Sequence, residues 1–373
     1  MSATSMRLHS VLTEAWRNTI SGAGRAVLIW GALLCITLPL LVAEAAATRA
    51  VIDEAITYRL SGAAIATIRA AGAIDAKSCD ALGSTAGVVA AGALRTSDEA
   101  IQPAALPGST IPTFETTPAF PALIGAAHAD VRNAGALISR AVAERLRLSA
   151  GDELPLATGE RLAIAGVYDW PDDGRRPGLG YAVAIPSLDR GAFDECWATS
   201  WPESEQLTAL LRSSTIPDRI DPASPPALSA VNDTLGREFH GDERHLTRVT
   251  RFAPLAALLA SALALTIAVR SRRHALASAR HLGVRGSDLL AIVLAELVIV
   301  LAAVALPSIT VAASLARGPD GAAVFDAAIR VLAGTVVGAF LGGAAAVVTA
   351  RAHGHAPPRS RRRQRGNPPS NAH

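Results

Sequence analysis

The sequence predicts an α-helical membrane protein with four transmembrane helices, arranged one plus three, and a large mixed α/β extracytoplasmic domain on helical stalks. Three observations predict this class. The 373 residues contain long uncharged apolar runs, their charges are sorted into separate blocks, and two of the three cysteines lie in one acidic block. Half of the residues are hydrophobic and the mean hydropathy is +0.31, a balance that is unusual for a single soluble globule.

Four apolar segments are long enough to span a membrane. A hydrocarbon layer about 30 Å thick takes roughly 17 to 25 helical residues. The segments that reach this length are residues 26–43, 252–269, 289–316 and 331–350. The third contains the single charge among them, Glu296, whose cost of about 3 kcal/mol is smaller than the gain from its many Leu, Ile and Val residues. Glu296 is therefore an intramembrane acid, and the sequence leaves open whether it has a function or only extends toward the headgroups.

The distribution of charge predicts how the chain is oriented. Segments 1–25, 270–288 and 351–373 hold 14 basic and two acidic residues, whereas segment 44–251 holds 19 basic and 27 acidic residues. Short basic loops stay on the cytoplasmic side of a membrane. We therefore expect a multi-pass protein of the plasma (inner) membrane with cytoplasmic N- and C-termini. Segment 44–251 and the short loop 317–330 are then extracytoplasmic.

The two ends of the chain have distinct predicted roles. Residues 8–20 place apolar side chains on one helical face, which predicts that segment 1–25 contains an amphipathic helix in the inner interface. Ala43-Glu44-Ala45 also matches a signal-peptidase site, but the long amphipathic start favours a retained anchor. Residues 351–373 are predicted to be a basic, disordered cytoplasmic tail.

The extracytoplasmic block is long enough for one medium domain or two small ones. Residues 85–94 and 161–170 are predicted to be strands, and Ser139 to Leu148 a short amphipathic helix. Apolar residues recur at helical spacing in 51–60 and, more loosely, in 228–249. Two stalk helices that continue the membrane helices outward are the simplest interpretation.

The cysteines fit an oxidising compartment. Cys79 and Cys196 both lie in the outer block, while Cys35 lies within the first apolar run. We predict a Cys79–Cys196 disulfide, which the chain-entropy model values at roughly 4 to 5 kcal/mol. The alternative is a pair of unlinked, buried cysteines.

The chain has no motif of a nucleotide-binding or hydrolytic enzyme. It lacks a P-loop, a Gly-x-Ser-x-Gly elbow, a His-Glu-x-x-His pair and a Cys-x-x-Cys pair. His240 with His245 and the acids Asp169, Asp172 and Asp173 are metal ligands by residue type, but a solvated helix end and a polar loop are the simpler interpretations. We expect a protein that is not an enzyme, with no cofactor and no nucleic-acid partner.

The basic loop 270–288 has the most regular pattern in the chain. Arg272, Arg273 and Arg280 can lie on one side of a helix that ends at Gly283, and a second helix then enters the membrane. A cytosolic motor could push on such an elbow. Juxtamembrane arginines also bind lipid phosphates, so the pattern alone is ambiguous.

This loop resembles that of the FtsX/MacB family of ABC-transporter permeases. The family's loop has the form Arg-Arg-x-Glu-Ile-x-x-x-Arg-x-Leu-Gly-x-x and leads to a span with an early Glu. The matching positions here are Arg272, Arg273, Leu276, Arg280, Leu282, Gly283 and Glu296. The outer segments 141–156 and 161–167 are similar to the periplasmic core of such proteins, in which a helix precedes a Gly-Asp turn and a strand. Ala275 departs from the family because it replaces the loop's usual acid.

The resemblance implies a permease subunit that relays the movement of a separate cytosolic ABC ATPase to the outer domain. Family members expel lipid, lipoprotein or peptide, or activate an outer enzyme. The implied partners are the ATPase, a second permease in a homodimer or heterodimer, and membrane lipid. The residues expected to couple to the ATPase are Arg272, Arg273, Leu276, Arg280, Leu282, Gly283 and Arg285. The alternatives are a membrane-anchored sensor or scaffold without an ATPase, and a membrane-tethered enzyme that uses the outer acids.

Overall fold

The structure is a computed structural model of the chain. It describes residues 13, 16–17, 26–126, 135–188, 191–202, 204–236, 238–271 and 286–353. The helices are α1 (Ala26–Leu60), α2 (Ala76–Leu82), α3 (Arg140–Leu146), α4 (Leu207–Ser213), α5 (Gly241–Thr247), α6 (Ala253–Ser271), α7 (Gly286–Leu315) and α8 (Gly321–His353). Short 3₁₀ turns occur at Phe120–Ala122, Pro177–Leu179, Pro217–Arg219 and Val249–Phe252.

In the part of the chain that the structure describes, nine strands form one mixed sheet. They are β1 (Ile65–Asp75), β2 (Val88–Thr96), β3 (Thr113–Thr116), β4 (Ala136–Ser139), β5 (Glu153–Pro155), β6 (Arg161–Tyr168), β7 (Val183–Pro186), β8 (Ala192–Ser200) and β9 (Ala227–Ala230). Their order in the sheet is β5-β6-β4-β7-β3-β2-β8-β1-β9. The pairs β3–β7 and β4–β6 are parallel, and the other pairs are antiparallel.

The chain divides into two compact units, one formed by Met1–Ile52 with Asp242–His373 and the other by Asp53–Gly241. The first is the helical unit. It contains the helices that are long and apolar enough to cross a membrane: Ala26–Leu60, Val249–Ser271, Ala291–Leu315 and Gly321–Ala346. The prediction of four such helices is confirmed, whereas the membrane boundaries along each helix stay predictions.

The fourth long helix starts earlier than expected. The sequence predicts a loop over 317–330, but α8 begins at Gly321, so most of that loop is helical. Its first turns are rich in alanine, which has the highest helix propensity. Arg330 is also paired with Asp326 four residues earlier, a spacing that stabilises a helix.

Three glycines let α8 pack closely against α6. A Cβ atom added at Gly334, Gly338 or Gly342 would overlap the carbonyl oxygen of Pro254, Leu258 or Ala262 respectively. In lipid, helices associate through van der Waals packing, so a row of small residues every four positions marks an interface. The Gly-x-x-x-Gly-x-x-x-Gly spacing of this row is a signal for such an interface in the sequence itself.

The second unit is the α/β unit, and its sheet confirms the mixed α/β prediction. One side of the sheet packs around Ile68, Ile74, Cys196 and Leu211, with α2 and α4. Another cluster surrounds Trp197. Burial of these apolar side chains is the main source of stability of such a sheet.

The predicted local elements are largely present. The strands expected at 85–94 and 161–170 are β2 and β6. The helix expected at Ser139 to Leu148 is α3, and Ser139 caps its N-terminus by accepting a hydrogen bond from the Val142 N–H. Arg147 ends the helix in the left-handed conformation, with a φ of 56°.

The second stalk helix is absent, so that prediction was wrong. Residues 228–249 contain strand β9, an irregular segment and the seven-residue helix α5. Strand β9 pairs with β1, so its backbone groups are hydrogen-bonded between strands. The helical spacing of its apolar residues gave no indication of this pairing. Gly236 then adopts a φ of +89°, a conformation outside a right-handed helix. Residues 51–60 are helical as expected, since α1 runs without interruption to Leu60, and their role as a stalk stays a prediction.

The predicted disulfide is present. Cys79 of α2 is bonded to Cys196 of β8 across 117 residues, and both are fully buried. Closing a loop of that length is worth about 5 kcal/mol in the chain-entropy model. Cys35 is free and exposed on α1.

Asp75, the N-cap of α2, and Asp80, within α2, have pKa values that are shifted in opposite directions. Hydrogen bonds from the Ser78 hydroxyl and N–H lower the pKa of Asp75, the N-cap residue. Burial raises the pKa of Asp80, against the smaller effect of a hydrogen bond with the Thr117 side chain. Among the described residues, Asp80 Oδ1 has no hydrogen-bond partner. A charge on Asp80 therefore costs stability, whereas a charge on Asp75 contributes to it.

We predict that Gly338→Ala destabilises the helical unit by about 1 to 3 kcal/mol, because the new Cβ forces α8 away from α6. The matched control is Gly343→Ala. Its Cβ would lie in ordinary van der Waals contact, 3.7 Å from Leu297 Cδ2, and should leave stability unchanged or slightly higher. Thermal unfolding of the detergent-solubilised protein measures both. Equal melting temperatures for the two variants would contradict the close packing.

We predict that Asp80→Asn raises the unfolding temperature at pH 7 by a small amount, below about 1 kcal/mol in free energy, because the carboxyl is partly solvated. The pKa of Asp80 is raised in the folded protein, so its ionised carboxylate lowers stability. This loss of stability is absent below the ordinary carboxyl range and grows as the pH rises above it. The gain should therefore shrink as the pH falls through the carboxyl range and vanish below that range.

Asp75→Asn is the control for this prediction, with the opposite sign. Its folded pKa is lowered, so its charge stabilises above the ordinary carboxyl range and this contribution is lost on acidification. The variant should melt lower at pH 7 and approach the unsubstituted protein in acid. A loss of stability in Asp80→Asn at pH 7 would refute the assignment.

Candidate functional site

The predicted ATPase-coupling residues lie between two long helices. Helix α6 ends at Ser271 and α7 begins at Gly286. The residues between these helices, 272–285, lie outside the described residues. They include every predicted coupling residue, namely Arg272, Arg273, Leu276, Arg280, Leu282, Gly283 and Arg285. These assignments stay predictions.

Glu296 belongs to the buried face of α7. Its residue is only 7% exposed, and it has an interaction within the protein. The next turns of this face, with Leu297, Val300 and Val304, pack in the apolar core of the helical unit. Ten residues separate Glu296 from the start of α7, about 15 Å along the axis. This burial favours a role inside the protein over extension toward the headgroups.

A second charged residue, Glu44, is buried in the helical unit, and the sequence analysis did not find it as a site. Glu44 lies on α1 at the end of the predicted first span, and its side chain is 7% exposed. Its partner is Arg248, whose Nη2 lies 3.3 Å from Glu44 Oε1 and whose side chain is 10% exposed. Two opposite charges removed from water in this way are held by their mutual attraction.

Neighbouring polar groups also contact Arg248, while Glu44 Oε2 has no hydrogen-bond partner among the described residues. Arg248 Nη1 donates to Thr48 Oγ1, and the Thr48 hydroxyl donates to the Glu44 carbonyl at 2.9 Å. Arg248 Nη2 also lies 3.2 Å from His245 Nε2. We call Glu44, Thr48 and Arg248 the outer clamp. It joins α1 to the segment that precedes α6.

The next residue of α1 joins a third part of the helical unit. Arg49 Nη1 donates to the carbonyl oxygens of Arg317 and Pro319, each at 3.2 Å. These carbonyls belong to the turn between α7 and α8, where Gly318 adopts a φ of +98°. A cation suits the C-terminal end of a helix, where carbonyl groups are unpaired.

Helix α1 also contacts α7 and α8 within the apolar region. Trp30 Nε1 donates to the Ala303 carbonyl of α7 at 3.1 Å. The hydroxyls of Thr37 and Thr335 of α8 lie 3.0 Å apart, and both residues are fully buried. Polar contacts between helices add to packing where the alternative is hydrocarbon.

The polar groups of α1 have a signal in the sequence. Glu44 and Thr48 follow the apolar run four residues apart, on one helical face, and Arg49 comes directly after them. Their partners could not be inferred, since Arg248 is about two hundred residues away in the sequence. Glu44 served only as the boundary of the first span.

In the α/β unit, two of the three candidate acids, Asp169 and Asp173, are paired with arginines. The Arg140 guanidinium donates to Asp169 and holds the pKa of that carboxyl below its ordinary value. Arg175 pairs with Asp173 at 3.1 Å. Across the described ranges, no group of three or more His, Cys, Asp or Glu is arranged to hold a metal ion.

The most connected acid of this unit is Glu195 on β8. Arg69 Nε lies 2.9 Å from it, Arg176 donates with both Nη atoms, and Trp197 Nε1 donates at 2.7 Å. Arg176 also lies over the Trp197 ring. With its oxygens engaged by three side chains, Glu195 is a structural group and not a free acid or base.

No family model matches the chain, and no curated protein matches it. Two solved structures are similar to parts of it. One is the periplasmic region of MacB from Actinobacillus actinomycetemcomitans, with 8% identity and a TM-score of 0.34 over 46% of this chain and 90% of that chain. The other is a domain of a putative permease protein from Porphyromonas gingivalis, with 15% identity and a TM-score of 0.30 over 50% of this chain and 99% of that chain. Values this low do not show family membership.

We predict that Arg248→Ala destabilises the helical unit by about 3 to 5 kcal/mol, because it leaves the Glu44 carboxylate buried without its counter-charge. The double variant Glu44→Met with Arg248→Met should recover most of that loss. The control is Arg330→Ala, which breaks a pair whose side chains are 67% and 59% exposed and should cost less than about 1 kcal/mol. Thermal unfolding in detergent measures all three. Equal losses for Arg248→Ala and Arg330→Ala would contradict a buried clamp.

Proposed function

We propose that this chain is the membrane subunit of an ABC transporter, driven by a separate cytosolic ATPase. The main support is the loop 270–288 and its place in the chain. Its basic, glycine-ended pattern follows α6 directly and ends where α7 begins. The resemblance of this loop to the FtsX/MacB family rests on its residues, and the early Glu296 of α7 fits the same pattern.

In this proposal the coupling residues Arg272, Arg280 and Gly283 contact the ATPase, and the ends of α6 and α7 move when the ATPase closes. The close packing of α8 on α6 passes the movement between these helices. The outer clamp and Arg49 pass it to α1. The α6–α8 packing, the outer clamp and the Arg49 contacts all lie within the helical unit, which supports a path for the movement through these helices.

Helix α1 carries the movement out of the membrane. Its 35 residues span about 52 Å, well beyond a hydrocarbon layer of about 30 Å. Its end is fastened in the α/β unit, where Arg175 donates to the Leu60 carbonyl and Asn232 donates to the Ser61 carbonyl at 3.1 Å. The α/β unit would then change the state of its own ligand or partner. Export or extraction of lipid, lipoprotein or peptide and activation of an outer enzyme are the outputs of this class.

The remaining parts of the proposal follow from the same assignment. The protein lies in the plasma (inner) membrane with its termini and 270–288 loop in the cytoplasm. It pairs with itself or a second permease, contacts membrane lipid, and has no catalytic activity of its own. Ala275, in place of the family's loop acid, favours one alternative, a sensor or scaffold that has no ATPase.

We predict that an ABC ATPase co-purifies with the protein after mild extraction, and that Arg280→Glu or Gly283→Leu reduces this recovery at least about tenfold. Each tenfold loss of ATPase recovery corresponds to about 1.4 kcal/mol of binding free energy. A reversed contact charge or a blocked turn is expected to remove at least this much. The control is Arg161→Glu, which makes the same change at a side chain of the α/β unit that is 72% exposed. It should leave ATPase recovery unchanged. Absence of any co-purified ATPase would favour the sensor or scaffold.

A further inference from the structure

A small apolar groove lies between α1 and α6, at the end of α6 that leads into the 270–288 loop. It encloses about 180 Å³. Leu28, Ile29 and Ala32 of α1 line one side, and Ala264, Ile267 and Ala268 of α6 line the other. Ser271 stands at its α6 end. Both helices belong to the helical unit, and both are candidate spans.

The groove exists because small residues replace large ones. Ala264 and Ala268 are one helical turn apart on α6 and face Ala32 of α1 across the gap. Leu28 and Ile267 flank the gap and are 69% and 59% exposed. In a bilayer these exposed apolar groups meet acyl chains, and a dry apolar gap is filled by hydrocarbon and not by water.

A basic residue lies at the same end of α6. Arg270 is exposed in the last turn of α6 and is adjacent to Ser271 in the sequence. Basic residues beside a gap between membrane helices suit the phosphate of an anionic lipid.

We propose that this groove binds one anionic glycerophospholipid, with an acyl chain between α1 and α6 and its phosphate at Arg270. The lipid belongs to the leaflet at the Arg270 end of α6, the cytoplasmic leaflet in the orientation expected from the sequence. It contacts the helix end that leads into the predicted coupling loop. The inference goes beyond the proposed function and stands without it, because binding is measured on this chain alone.

The test is native mass spectrometry of the purified, delipidated chain with phosphatidylglycerol or phosphatidylcholine. We expect phosphatidylglycerol to bind about tenfold tighter, and Ala264→Leu with Ala268→Leu to weaken it about tenfold by filling the groove. Arg270→Gln should reduce phosphatidylglycerol to the level of phosphatidylcholine. The control is Ala302→Leu, which makes a single substitution of the same kind at an exposed position of α7 and should bind as the unsubstituted chain.

A second measurement uses the unsubstituted sequence, so it does not depend on how the variants fold. Cys35 is the free cysteine of a chain whose other two are bonded, so a fluorophore attaches there alone. It lies three residues beyond Ala32, on the same side of α1. Phosphatidylglycerol with a nitroxide on its acyl chain should quench this fluorophore in a saturable way that unlabelled phosphatidylglycerol reverses.

Three results would overturn the site. They are equal binding of the two lipids, equal binding by the groove-filling and Ala302→Leu variants, and quenching that rises linearly without saturation. Efficient Cys35–Cys35 cross-linking between two copies would also overturn it, because a second copy would then cover the groove. None of these outcomes depends on an ATPase, so they leave the proposed function to its own test.

Discussion

The hydrocarbon layer imposes the constraint on which the helical unit depends. Lipid is as apolar as leucine, so burying apolar side chains between helices gains little, and association needs close contact or shared polar groups. The chain uses both. Gly334, Gly338 and Gly342 bring the backbone of α8 onto that of α6, and hydroxyl, indole and guanidinium groups join α1 to the other helices.

These two kinds of contact join different helices. Helices α6 and α8 form one closely packed pair, because no side chain separates their backbones at the glycines. Helix α1 is joined differently, by Trp30, Thr37, Glu44 and Arg49, at intervals along its length. Discrete polar contacts can break and re-form between two arrangements more readily than an interdigitated backbone interface can. This difference suits a subunit in which α1 moves relative to a stable pair.

The α/β unit is connected to the membrane helices in two unlike ways. The chain enters it through the continuous helix α1 and leaves it through strand β9, irregular segments and the seven-residue helix α5. Residue 232, next to the end of β9, is a fully buried Asn whose amide donates to Ser61 and to Asp173. These hydrogen bonds satisfy the buried amide beside the end of α1, whereas α5 buries none of its side chains.

Features with a local physical cause were predictable from the sequence. Transfer into hydrocarbon depends on composition and length, so the four long helices could be found without a structure. The same holds for α3, whose Ser139 cap and apolar spacing are local, and for β2 and β6. The Cys79–Cys196 pair followed from compartment and count, because few pairings were available.

Contacts between distant residues were decided by the tertiary structure alone. Glu44 acquires a buried partner two hundred residues later, and β9 forms because β1 offers it an edge, even though its own apolar spacing resembles a helix. Residues 321–330 are helical for local reasons. They contain Asp326 and Arg330 and therefore lie outside the uncharged runs that predicted the spans. Pairing energies depend on which groups meet in space, and a linear pattern records neither the partner nor its distance. The sequence alone therefore determined the membrane helices and their charge asymmetry, while the outer clamp, the glycine contacts and the path out of the α/β unit required the folded chain.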